Sequence, residues 1–241
     1  MFDTLNEIRK SWNENKFITI YDPEDVNFGT YLVLPTQLFQ EYHLEVLSNY
    51  SSIDMMVILS YEFSKRAELP LMKNIFTGIS SIYPVVHLTN HQHNDIAAKF
   101  TLSISASSQR NPFDHESIIA TIHSLVSLIE QFEIDRVSQY KLINNFGATF
   151  DIPGRIQLVS ASFGLLKKSN TIIEVSLALS QITDYLESVI LIPIVNEKGQ
   201  LPTTKDTMRI MKVEKVTTAD KKTIVNLWRS IKNVPKSEIA T

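Results

Sequence analysis

The sequence predicts a single α+β domain. Apolar residues at helical spacing alternate along the chain with short apolar or alternating runs typical of strands, but without the strict order of a doubly wound sheet. We find no internal repeat, low-complexity tract or linker in the 241 residues. The hydrophobic content of 44% is enough to bury a sizeable core. We therefore expect one domain over residues 1–233, followed by a C-terminal tail over residues 234–241.

The first third of the chain predicts helices and strands from local patterns. Thr4 and Glu7 have the spacing of a capping box, and the helix that follows would present Leu5, Ile8 and Trp12 on one face. Further apolar runs bounded by turn residues predict strands at 17–21, 31–34 and 55–59, and helices at 39–47 and 61–68.

The rest of the chain also predicts both strands and helices. Phe100, Leu102 and Ile104 alternate with polar residues, which predicts a half-buried strand. Asp114 can cap a long helix. The apolar face of that helix would hold Ile118, Ile119, Ile122, Leu125, Val126 and Ile129. Strands are expected at 156–161, 189–195 and 211–216, with a turn at 196–199, a short helix near 205 and a helix ending near 231.

Composition excludes several classes of function. The net charge of −3 gives no general reason to bind nucleic acid or an anionic membrane. The chain has no cysteine, so disulfides and thiolate chemistry are excluded. No apolar run approaches the roughly 20 residues that span a bilayer, and residues 1–7 do not resemble a signal peptide. We expect a cytoplasmic protein that binds neither membrane nor nucleic acid.

The most specific motif lies at residues 164–174, which read Gly-Leu-Leu-Lys-Lys-Ser-Asn-Thr-Ile-Ile-Glu. This segment resembles the last catalytic segment of the 3,4-dihydroxy-2-butanone 4-phosphate synthase family. In that family a Gly-Leu pair and a basic run lead into Gly-His-Thr-Glu, which opens a helix. The resemblance puts Ile172 at the position of the metal-binding histidine and keeps the glutamate as Glu174. Thr171 and Glu174 also have capping-box spacing, so a structural role for Glu174 is favoured over a retained metal role.

The same resemblance extends to an acidic loop near the N-terminus. The segment Ile18 to Asp22 is similar to a family strand that ends in Tyr-Asp. The family continues with Arg-Glu-x-Glu-x-Asp, whose side chains bind magnesium and substrate. The matching positions here are Val26, Asn27, Gly29 and Tyr31, and none of them is charged.

Three more family positions are altered. Phe100 to Ile104 is similar to a Phe-Thr-Val-Ser-Ile strand, after which a loop and helix hold the substrate phosphate. On that helix Thr121 is kept, but the phosphate-site arginine falls at Ile118. A later family strand, which a Pro-Gly pair opens, carries an arginine, and the matched residue here is Ser160. The family glutamate that helps proton transfer is matched by Pro193.

His87, His91 and His93 form a second candidate site. Histidines at such short gaps could ligate zinc or another transition metal. The surrounding sequence is rich in Thr, Asn and Gln, which is typical of a solvated loop. A structural or solvent-exposed role is therefore favoured over a metal site.

The resemblance implies a single-domain mixed α-β sandwich of the synthase type. The altered positions favour a catalytically inactive homolog that acts as a binding protein or as a partner subunit. The alternative is a divergent lyase that converts ribulose 5-phosphate to 3,4-dihydroxy-2-butanone 4-phosphate and formate. The family uses magnesium, but no cofactor is expected here. The family's assembly implies a homodimer, or a heteromer with an active paralogue.

Overall fold

One mixed sheet organises the molecule. The computed structural model describes residues 2–24, 29–48, 55–67, 69, 100–106, 114–138, 150–161, 172–194 and 216–231. Within these residues the strands are β1 Ile18–Tyr21, β2 Thr30–Pro35, β3 Met56–Ser60, β4 Phe100–Ala106, β5 Phe150–Ala161, β6 Ser188–Pro193 and β7 Thr217–Asp220. The helices are α1 Phe2–Asn13, α2 Glu41–Ser48, α3 Tyr61–Arg66, α4 His115–Ser138, α5 Ile172–Ile182 and α6 Lys221–Ile231, with a 3-10 turn at Thr36–Leu38. This confirms the predicted mixed α-β class, whereas the boundary at residue 233 and the tail stay predictions.

The strand order is β4-β5-β3-β6-β2-β1-β7. The pairs β1–β7 and β3–β5 are parallel, and the other neighbours are antiparallel. As a result, the carboxyl ends of β1, β6 and β7 lie at the same side of the sheet as the amino ends of β2, β3 and β5. We call this row of strand ends the front edge. The opposite row of strand ends, where β1 and β7 begin, is the back edge.

The core lies on the sheet and along α5. Every residue of β2 is buried, as are most residues of β3 and β6. Helix α5 packs against β6, β3, β5 and α6, and all of its residues except Gln181 are buried. A helix that is buried all round belongs to the centre of a domain. The predicted apolar faces of α1 and α4 are confirmed, since Leu5, Ile8, Trp12, Ile118 and Ile122 are all buried.

Two local predictions are wrong or only partly right. Helix α1 already begins at Phe2, so Thr4 lies inside the helix and cannot form the predicted capping box at its start. The helix predicted at 39–47 begins at Glu41. In contrast, the predicted cap of α4 is confirmed, because the Ser117 backbone N–H donates to Asp114 Oδ1 at 2.7 Å.

Strand β4 is not half-buried as its alternation predicts, because Thr101 and Ser105 are buried as well. Its pairing with β5 is interrupted. Ile104 lies opposite Ile156, but the next residue, Ser105, lies opposite Asp151, so four β5 residues bulge out of the ladder. A Cβ atom on Gly154 would stand 1.9 Å from the backbone carbon of Ile104, so this close approach requires glycine.

The remaining predicted elements are found at or near their expected places. The strand predicted at 211–216 ends where β7 begins, but residues 195–215, which also hold the predicted turn and short helix, lie outside the described residues. Among the helices that the structure describes, none is both long enough and apolar enough to cross a lipid bilayer.

Candidate functional site

The front edge brings Gly29 and Pro193 together. Tyr31 at the start of β2 lies opposite Pro193 at the end of β6. The Ile194 backbone N–H then donates to the Thr30 carbonyl at 2.9 Å, which extends the pairing of the two strands by one hydrogen bond. Gly29 has a φ of 78°, a left-handed conformation that favours glycine. The position matched to an acidic family residue therefore has a backbone reason to be glycine.

Helix α5 directs its first turn toward the same edge. Its last turn is bonded to the segment that enters β6, since Tyr185 N–H donates to the Ser180 carbonyl at 3.2 Å and the Ser180 hydroxyl donates to the Leu186 carbonyl. The helix and the strand that follows it therefore run in opposite directions. Ile172, at the amino end of α5, thus lies on the side of the sheet where β6 ends.

The side chains of this first turn belong to the interior. Ile172 is 2% exposed and Glu174 is 0% exposed. A carboxylate without solvent contact must be compensated by protein groups, because an isolated buried charge is very costly. Thr171, the proposed capping partner of Glu174, lies outside the described residues. The capping box therefore stays a prediction.

Helix α4 carries Ile118 and Thr121, the two positions that the resemblance matches to the family's phosphate-binding helix. The Ala106 backbone N–H donates to Thr121 Oγ1 at 2.8 Å, and Thr121 Oγ1 donates to the Ser117 carbonyl at 2.6 Å. The hydroxyl of Thr121 is thus used on both sides to hold α4 against the end of β4. Ile118 is buried in the core and carries no charge.

Ser160 lies away from the front edge. It pairs with Leu59 of β3, which in turn pairs with Ser188 at the start of β6. Pro193 is at the other end of β6, so Ser160 lies toward the back edge. The hydroxyl of Ser160 is buried and has no hydrogen-bond partner among the described residues.

The acidic groups that end β1 and β7 are already engaged. Asp22 Oδ2 lies 2.7 Å from Lys221 Nζ, and Asp22 Oδ1 accepts the Glu24 backbone N–H at 3.0 Å. Asp220 caps α6 by accepting from the backbone N–H and the hydroxyl of Thr223 at 2.8 and 2.7 Å. These carboxylates fasten β1 and β7 to the start of α6.

The described front edge does not fit a magnesium ion. Magnesium requires several oxygen ligands in a nearly octahedral arrangement. Over the part of the chain that the structure describes, no three His, Cys, Asp or Glu side chains are grouped so that they could hold a metal ion. Ile172 and Pro193 offer no side-chain oxygen, and Gly29 has no side chain.

Two tyrosines at this edge cannot act as bases near neutral pH. Burial raises the pKa of Tyr31 above its usual range. Burial, with a smaller contribution from the negative charge of Asp220, also raises the pKa of Tyr21. Both phenols therefore stay protonated in the pH range where a proton-transfer group would have to work.

Some candidates cannot be placed. Asn27, His87, His91 and His93 lie outside the described residues, so their predicted roles stay predictions. The ion pair between Asp22 and Lys221 was not predicted, because the partners are 199 positions apart in the sequence and only the parallel pairing of β1 with β7 brings them together.

Comparisons with known proteins agree with this fold. The model of the 3,4-dihydroxy-2-butanone 4-phosphate synthase family matches residues 6–227. The synthase from Methanothermobacter thermautotrophicus is 20% identical over 206 residues, which cover 85% of this chain and 87% of that protein. The solved structure of the Candida albicans synthase has a TM-score of 0.65 at 19% identity and covers 96% of this chain and 97% of that one. Another, of a synthase in complex with two magnesium ions, has a TM-score of 0.69 at 11% identity and covers 95% and 97%. The chain therefore belongs to the 3,4-dihydroxy-2-butanone 4-phosphate synthase family.

Proposed function

We propose that this chain is a family member without lyase activity, which acts through binding or through pairing with another subunit. The observation that carries the proposal is the chemistry of the front edge. The positions matched to the metal-binding histidine and to the proton-transferring glutamate hold Ile172 and Pro193. Neither side chain can bind a cation or move a proton.

The neighbouring groups support the same proposal. The acidic positions of the family loop are matched by Asn27 and Gly29. The carboxylate of Asp22, which could approach this edge, is held by Lys221 at 2.7 Å. Recruiting it for a metal would break this partly buried ion pair, which is unfavourable.

The substrate side of the site supports it as well. A sugar phosphate needs positioned donors, and the strongest of these is a bidentate arginine. The matched position is Ile118, whose side chain is packed in the core. The hydroxyl of Thr121 already donates to Ser117 and accepts from Ala106.

Calorimetric titration with magnesium tests the proposal at the metal site. We expect no saturable magnesium binding that depends on Glu174, because one buried carboxylate cannot supply the oxygen ligands that the ion needs. Glu174→Gln, which keeps the shape of the side chain, serves as the site variant. A family synthase titrated in parallel shows that the method detects a functional site.

A specific magnesium site in the unmodified chain that disappears in Glu174→Gln would contradict the proposal. It would favour the alternative, a divergent lyase whose remaining ligands come from other parts of the chain.

A further inference from the structure

A cavity of about 410 Å³ opens at the back edge, away from the family site. It lies between the end of α1, helix α2 and the start of β7. Its lining includes Ser11, Asn15, Lys16, Tyr42, Val46 and Thr217. Cavities that hold small molecules measure about 300–1,000 Å³ and combine apolar walls with a few polar groups.

Hydrogen bonds fix two sides of the cavity. The Asn15 carbonyl accepts from the Tyr42 hydroxyl and from His43 Nε2, both at 2.7 Å, so the end of α1 is fastened to α2. Asn15 itself has a φ of 54°, which turns the chain sharply after the helix. Ser11 and Thr217 share a hydroxyl hydrogen bond of 2.6 Å, which fastens α1 to β7. These hydrogen bonds hold the walls of the cavity in place, and a preorganised wall lowers the cost of binding.

The apolar walls suit an aromatic ring. The ring of Phe17 lies edge-on to that of His43 at 5.1 Å, and Tyr42 lies beside the same imidazole at 4.1 Å. Tyr42 and Val46 line the cavity and still leave 40% and 37% of their surfaces exposed. An aromatic guest would cover this surface and could pack against the rings at the offset or edge-on angles that such rings prefer.

The polar groups that remain available include several hydrogen-bond donors. The side-chain amide of Asn15 has no hydrogen-bond partner within the described part of the chain, and the Ser11–Thr217 pair leaves one O–H to donate. Lys16 Nζ lies 2.6 Å from Glu14, but the two side chains are 67% and 43% solvent-exposed, and exposed pairs contribute little. Lys16 can therefore turn to a ligand. The acceptor that matches an ammonium, an amide N–H and a hydroxyl is a carboxylate.

We propose that this cavity is a binding site for a small aromatic carboxylate. The ring would lie against Phe17, Tyr42 and Val46, and the carboxylate would face Lys16, Asn15 and the Ser11–Thr217 pair. The site goes beyond the proposed loss of lyase activity, because it lies at the opposite edge of the sheet and uses none of the family's positions.

Calorimetry with naphthoate tests the proposal, with naphthylmethanol as its uncharged counterpart. We expect naphthoate to bind with one site per chain and more tightly than the alcohol. Lys16→Met should weaken naphthoate roughly tenfold, the loss of one charge-assisted contact, and should leave the alcohol unaffected. Lys10→Met is the matched control, because Lys10 lines an adjoining depression and not the cavity.

Methyl NMR of the unmodified chain locates the bound ligand. The methyl signals of Val46 and Val216, which line the cavity, should shift on addition of naphthoate, and that of Ile172 at the front edge should not. Absence of saturable binding, equal losses in Lys16→Met and Lys10→Met, or shifts confined to Ile172 would each overturn the proposal. None of these results depends on whether the chain has lyase activity.

Discussion

His43 is a buried histidine whose protonation state is set by its hydrogen bonds. Nε2 lies 2.7 Å from the Asn15 carbonyl and donates to it, while Nδ1 accepts from the Gln40 backbone N–H at 2.9 Å and lies 3.2 Å from the Gln40 carbonyl. The imidazole is therefore neutral in this arrangement. Burial lowers the pKa of His43 below its usual range and outweighs the hydrogen bonds that the ring can donate to the Asn15 and Gln40 carbonyls, which act in the opposite direction.

This shift predicts a loss of stability in acid. The unfolded chain binds a proton at His43 more readily than the folded chain, so the free energy of unfolding rises with pH between the two pKa values. The contribution is fully present above about pH 6.5, the usual histidine value, and is lost as the pH falls through the lower pKa of the folded state. His43→Gln should remove this part of the pH dependence. Urea denaturation between about pH 5 and 8 measures it.

An exposed histidine supplies the control. His115→Gln makes the same replacement at an exposed position at the start of α4 and serves as the matched variant. If the free energy of unfolding of His43→Gln fell with decreasing pH as steeply as that of the parent chain, His43 would not be the cause of the loss of stability in acid.

The junction of β4 with α4 depends on one hydroxyl. Thr121 Oγ1 accepts from the backbone N–H of Ala106, the last residue of β4, and donates to the Ser117 carbonyl. The neighbouring hydroxyl of Ser117 is also buried, but it has no hydrogen-bond partner among the described residues. The two side chains are therefore a natural comparison.

Thr121→Val should lower the free energy of unfolding by about 1–3 kcal/mol, because it leaves the Ala106 N–H buried without an acceptor. Ser117→Ala should be neutral or slightly stabilising, since it removes a buried polar group for which the described residues offer no partner. Urea denaturation of both variants compares them. Equal effects of the two substitutions would show that the hydrogen bond at Thr121 does not hold the junction.

Local patterns predicted the helices well. Asp114 and the apolar face that includes Ile118 and Ile122 follow from cap chemistry and helical spacing, which depend only on nearby residues. The burial of His43 could also have been predicted, since Phe39, His43 and Leu47 recur at four-residue intervals and all three are buried.

Features that depend on a distant strand could not be predicted. The bulge in β5 is set by its pairing with β4, and the need for glycine at position 154 arises only because the backbone of Ile104 approaches so closely. The position of Ser160 toward the back edge likewise follows from strand register, which the order of residues does not reveal. The altered site positions stay predictions from the resemblance, and their arrangement in space could not be predicted from the sequence.

The assembly of the whole molecule is a further prediction. The family resemblance implies a homodimer, and two-fold symmetric pairing is the commonest closed assembly of identical chains. Light scattering of the purified chain at micromolar concentration should give twice its mass of 27.5 kDa. A single-chain mass would contradict the homodimer. If the partner is instead an active paralogue, the chain should co-purify with a synthase from its host, and failure to do so would remove that version.

The molecule as a whole has the fold of its family, but side chains that the resemblance does not lead one to expect stand at one edge of its sheet. The family model spans most of the chain, yet the positions matched to the metal and proton-transfer groups are Ile172 and Pro193. Catalytic groups that act as a unit lose nearly all activity when one of them is removed, and a single repair recovers little. Restoring the histidine alone, in Ile172→His, should therefore not restore activity.

Formate release from ribulose 5-phosphate in the presence of magnesium tests this directly. We expect no formate above background from the unmodified chain or from Ile172→His, while a family synthase assayed in parallel releases it. The far-ultraviolet circular dichroism of both proteins should match, which shows that Ile172→His is folded. Magnesium-dependent formate release by the unmodified chain, in proportion to its concentration, would contradict the proposed loss of lyase activity.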